Sequence, residues 1–161
     1  MTDGIRFSEL LAYTEQETQH WKKFFSDNPQ ALEVPLDIAE CKNARELLLH
    51  IFTVELFFSH AVLGLPKLDW QQLRPATLDE LFGISEQAMH EFREFSAKAG
   101  PEQWGAGVNL DYRGLAPSKR KATAQALLHG IHHRAQLATA LRQQGFKQDW
   151  NHDFLMSPAM E

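Results

Sequence analysis

The chain has 161 residues, 43% hydrophobic and 23% charged, with a formal net charge of −5, which fits one globular domain over residues 1–161 with a substantial core. Its longest basic block is Lys119, Arg120 and Lys121, too little to form the cationic stripe that neutralises phosphates, so no nucleic-acid partner is expected. The single cysteine, Cys41, excludes an internal disulfide framework and a Cys-rich zinc site.

The opening segment MTDGIRFSELLAYTEQ lacks a basic stretch followed by an apolar core, and no uninterrupted apolar run approaches the roughly 20 residues that span a bilayer. A cytoplasmic protein with no membrane partner is therefore expected. Phe7, Leu10, Leu11, Thr14, Thr18, Trp21 and Phe25 then recur at helical spacing until Asn28-Pro29 stops the pattern. The second predicted helix starts near Asn43, with Glu46 at the capping-box position, and ends at Gly64 and Pro66. It is apolar almost all round from Leu47 to Leu63, which implies deep burial. Thr77 and Glu80 form the capping box of a third helix that stops at Gly100-Pro101. The stretch GPEQWGAGVNLDYRGLAP that follows is too rich in glycine for a helix, and a long loop or short hairpin is expected there. Ser118 caps the fourth helix and Gly145 ends it. The pattern predicts an all-α four-helix bundle, and its long connections leave the packing order open.

The fourth helix carries the chemistry. His129 and His133 stand four residues apart, about 400° and 6 Å along a helix, so both imidazoles point the same way. On angular grounds Ala124, Leu127, Leu128, Ile131, Ala135 and Ala138 make the main apolar stripe. The two histidines fall roughly opposite, beside Ala126, Leu137 and Ala140, on a face small and apolar enough to pack on a partner or line a pocket. The spacing by itself favours a solvated face over a metal site. A transition-metal site generally needs at least three protein ligands, and the candidate third is His50, in LLLHIFTVE. His132 lies about 100° away from His133 and is expected at the surface. Glu46 and Glu55 are each near one turn from His50, where a carboxylate can orient an imidazole; capping is the better account of Glu46. Arg134 suits a salt bridge as readily as a substrate contact.

LLLHIFTVELFF, followed about 80 residues later by HGIHHRAQLATALRQQGF and by the tail Asp153-Phe154-Leu155, resembles the DinB-like superfamily of four-helix-bundle metalloproteins over nearly the whole chain. Ala135 departs from the glycine common in that family between Arg and Gln. The resemblance implies an up-down-down-up helix arrangement, frequent homodimers and a metal triad falling on His50, His129 and His133, the three residues already reached. It leaves the divalent metal open among Ni, Zn and Fe. It also implies two classes of function: a metal-dependent transferase that moves a low-molecular-weight thiol such as bacillithiol, mycothiol or glutathione to an electrophile, or a non-catalytic metal-binding or stress-response accessory protein. A third outcome is a bundle whose histidines bind nothing. A carboxylate-bridged di-iron centre needs two Glu-x-x-His motifs; only Glu17 with His20 has that spacing, since Glu46 with His50 and Glu86 with His90 are one residue too long. Haem attachment has no Cys-x-x-Cys-His motif to support it.

Overall fold

Helix α1 (Phe7–Asp27) buries Leu11, Thr14, Thr18, Trp21 and Phe25 along one side and ends before Asn28 and Pro29. The computed structural model describes residues 4–111 and 113–159; the first three residues of the opening segment lie outside them. A 3-10 turn, Pro29–Glu33, leads into strands β1 (Pro35–Ile38) and β2 (Cys41–Asn43), which pair antiparallel. The short hairpin expected as one option after the third helix therefore joins the first helix to the second instead. Its turn residues, Ala39 and Glu40, both have positive φ, 51° and 64°. Such a turn is ordinarily announced by Asn-Gly or Asp-Gly, and Ala-Glu carries no such signal.

α2 (Ala44–Leu63) starts as expected: the Asn43 side chain accepts the Glu46 N–H at 2.9 Å. The Glu46 carboxylate turns back to the Lys42 N–H at 2.8 Å, one residue beyond the cap itself. Gly64, at φ 71°, closes the helix while the Leu65 N–H reaches the His60 carbonyl at 2.9 Å. By length and composition α2 could cross a membrane, yet it lies in the core with Leu47, Ile51, Phe52, Leu56 and Val62 buried. α3 (Leu78–Lys98) has the reciprocal Thr77–Glu80 capping box. A short α4 (Pro101–Gly105) follows, and the loop to the next helix is closed by Val108 donating to the Pro117 carbonyl and Lys119 to that of Ala106, each at 2.8 Å. α5 (Lys119–Gln143) is capped by Ser118 and ends on Gly145 at φ 89°.

Among the described residues, α1, α2, α3 and α5 are the four long helices, and α2 packs on both α3 and α5 while α1 packs on the same two. Phe7 meets Phe92 and Lys22 meets Asp79; Phe52 meets Phe82 and Ser59 meets Glu91; Lys119 lies over Phe95.

The face of α5 that enters the core differs from the stripe read in the sequence. Ala122, Ala126, Gly130, His133, Arg134, Leu137 and Leu141 are buried with Leu127 and Ala138, whereas Ala135 is exposed and Leu128 is 57% exposed. The angular count assigned Gly130 and Arg134 to neither face. Both are inside because Arg134 pairs with Glu55 of α2 at 2.9 Å, with the two residues 4% and 0% exposed, and a buried charge requires such a partner. Gly130 makes room for the pair: a Cβ there would stand 2.4 Å from Arg134 Nη1 and 2.8 Å from Glu55 Oε1.

Gly130→Ala should consequently lower stability. Alanine gains about 1 kcal/mol of helix propensity, but overpacking typically costs about 1–3 kcal/mol and here also pries at a buried ion pair. A lower midpoint in chemical denaturation is expected; a variant as stable as the parent would mean that the pair can move aside.

Candidate metal centre

His50 comes from the middle of α2 and His129 and His133 from successive turns of α5. The structure brings all three together, with one ring nitrogen of each within 4.8 Å of the others. His50 Nε2 and His129 Nε2 are 3.2 Å apart, and ring centroids are separated by 4.4 Å for His129–His133 and 5.1 Å for His50–His133. Two nitrogens each about 2.0–2.1 Å from one ion at a near-tetrahedral angle would be about 3.3 Å apart, so this spacing suits a shared ion. Among the described residues it is the one group of three or more His, Cys, Asp or Glu side chains gathered closely enough to hold a metal.

Electrostatics favour the ligand form of each ring. Burial is the main cause of lowered pKa in all three: His129 falls from 6.5 to about 4, helped by neighbouring His133 and His50, and His50 and His133 are lowered in the same sense. At neutral pH the rings are therefore uncharged and carry the lone pairs that Zn, Ni or Fe would take. His133 is further held by Gln136, whose Oε1 lies 2.7 Å from its Nδ1. His129 Nδ1 is buried without a hydrogen-bond partner.

The other candidates resolve separately. His132 is exposed, its ring edge-on to His133 at 5.0 Å. Glu55 does not orient His50; its oxygens are taken by Arg134 and by the Ser85 hydroxyl at 2.7 Å. Arg134 is the structural ion pair, with a second bond to Thr18 Oγ1 at 3.0 Å. Glu17 belongs to no di-iron motif, since its carboxylate receives Trp150 Nε1 at 3.1 Å and His152 Nδ1 at 2.7 Å from the C-terminal tail. Glu86 faces Lys22.

The hydrogen bonds of Gln136 to His133, Thr18 to Arg134 and Ser85 to Glu55, and the docking of Trp150 and His152, were not anticipated. Gln136 had a usable signal, being one turn beyond His133; the others join residues far apart in sequence and had none.

A family model described as the DinB family matches residues 1–157. Among solved structures, a DinB-like protein of Bacillus subtilis is similar at a TM-score of 0.63 and 17% sequence identity, over 91% of this chain and 96% of that chain. No curated protein matches.

The depressed histidines make stability acid-sensitive in a defined direction. Above the unfolded value of 6.5 the rings are neutral in both states; as pH falls toward about 4 the unfolded chain takes up protons that folded His129 refuses. The thermal midpoint of metal-free protein should drop through that window. His129→Gln should flatten the drop, and an unchanged acid limb in that variant would remove His129 from the explanation.

Proposed function

The chain belongs to the DinB family, and we propose that it binds one divalent transition metal, Ni, Zn or Fe, through His50, His129 and His133. The carrying observation is the convergence of three imidazoles that burial keeps neutral. The helix contacts support the up-down-down-up arrangement as part of this reading: α1 and α3 meet in opposite order, α2 and α3 in the same order, and the start of α5 lies near the end of α3.

The activity we assign to the site is transfer of a low-molecular-weight thiol, of the bacillithiol, mycothiol or glutathione class, to an electrophile. A bound divalent ion supplies the charge that favours thiolate over thiol near neutral pH. The chain's part would be to hold that ion with three neutral donors on two helices, which add no charge of their own to offset it. The buried Glu55–Arg134 pair, one turn beyond His50 and next to His133, keeps those helices in register. A non-catalytic metal-binding or stress-response accessory role is the second reading. One observation favours it: Glu46 and Glu55, the carboxylates nearest His50 in sequence, are both committed elsewhere, which leaves neither as an acid or base at the triad.

Metal analysis of protein purified without a histidine tag separates these readings from a bundle that binds nothing. Stoichiometric metal is expected, lost in His129→Ala and kept in His132→Ala, with the helical circular-dichroism signal retained in both. Metal kept in His129→Ala and lost in His132→Ala would overturn the assignment. Thiol consumption with a generic electrophile then distinguishes transferase from binder: turnover that follows metal content supports transfer, and inert metal-loaded protein supports the accessory role.

We also propose a cytoplasmic homodimer without membrane or nucleic-acid partners. The free cysteine, Cys41, fits a reducing compartment. The unburied ridge of α5, with Leu128, Ile131 and Ala135, fits a self-association surface. Light scattering should give twice the chain mass, and a monomer across a wide concentration range would rule the dimer out.

A further inference from the structure

We infer that Gln136 is the positioning residue of the histidine cluster: its side-chain carbonyl accepts the Nδ1–H of His133, fixing that tautomer and leaving Nε2 as the ring's one free coordinating nitrogen. The inference rests on the metal reading for its purpose and on geometry for its substance. His133 Nδ1 and Gln136 Oε1 are 2.7 Å apart, one turn along α5. A neutral imidazole has one N–H and one lone pair, so whichever nitrogen donates decides which can ligate. His133 is 8% exposed, and water therefore has little access to settle its tautomer.

The three histidines are not equivalent in this respect. His129 has a buried Nδ1 without a partner, and His50 Nε2 already faces His129 Nε2 at 3.2 Å. Among the described residues, His133 alone of the three has a hydrogen bond from its ring to a side chain outside the cluster. The partner is uncharged. A carboxylate in its position would add a negative charge beside three neutral donors, whereas an amide fixes the ring and leaves the site's charge to the ion. Orientation of the amide is part of the inference. With the carbonyl toward His133 the ring is Nδ1–H, and with the amide NH₂ toward it the ring would be Nε2–H and unable to ligate through that atom.

Two measurements on the same variants test this. Long-range ¹⁵N–¹H spectra of metal-free protein read the His133 tautomer directly, and zinc affinity is read by competition with a chromogenic chelator. The parent should be Nδ1–H. Gln136→Ala should become a mixture of tautomers and lose about 10–100-fold in zinc affinity, with its thermal midpoint little changed. Gln136→Glu, which keeps an acceptor oxygen, should keep Nδ1 protonated where the ring is neutral, while its charge raises the pH at which His133 becomes imidazolium. A parent that is Nε2–H, or a Gln136→Ala variant that remains Nδ1–H, would overturn the proposal. A lowered midpoint without a tautomer change would likewise count against it, as the mark of a merely structural residue. Should the tautomer respond as expected while the parent binds no zinc, the positioning role stands and the metal reading falls.

Discussion

Arg134 and Glu55 face each other at 2.9 Å with almost no exposure to water, so sliding α5 along α2 would strand a charge in the core. Stranding one partner of such a pair costs about 3–5 kcal/mol, comparable to a large part of a small domain's stability. The pair also reaches the other two long helices. Ser85 of α3 donates to Glu55, and Arg134 donates to Thr18 of α1. The contact is imperfect: Arg134 Nε and Nη1 are buried without hydrogen-bond acceptors. The buried pair is thus better understood as fixing one helix register than as adding stability over an apolar alternative.

That register places the histidine cluster. His133 is adjacent to Arg134 in sequence, and His50 lies a little over one turn before Glu55. Glycine at 130 lets the two helices approach over the pair, where any side chain would collide with it. The histidines therefore meet because a charge pair sits beside them, with no direct bond from that pair to any ring. Glu55 serves the site without touching it.

Local features of the sequence proved readable, while partnerships across the fold did not. The i, i+4 spacing of His129 and His133 and the caps at Asn43, Thr77 and Ser118 depend on residues within one turn, and each has the local geometry read from the chain. The buried face of α5 was misread because periodicity scores Arg134 and Gly130 as polar or neutral, and only knowledge of Glu55 reverses that reading. The α1–α2 hairpin was missed for a different reason: Ala39 and Glu40 adopt positive φ without being the residues that usually do so. Trp150 and His152 dock on Glu17 from a tail with no helical period at all.

The distribution of buried acids gives the centre its character. Glu17 is engaged by Trp150 and His152, Glu91 by Ser59 and Gln87, and Glu55 by Arg134 and Ser85. Among the described residues each buried carboxylate is engaged away from the triad, beside which it would raise the histidine pKa values and favour imidazolium over ligand. The rings are instead kept neutral chiefly by burial. A cation held by neutral donors alone retains its full charge for whatever enters the open position, and anionic sulfur or oxygen gains most from that charge. Segregating acids from histidines thus keeps the rings in the neutral form a cation would need, and would bias such a cation toward an anionic ligand.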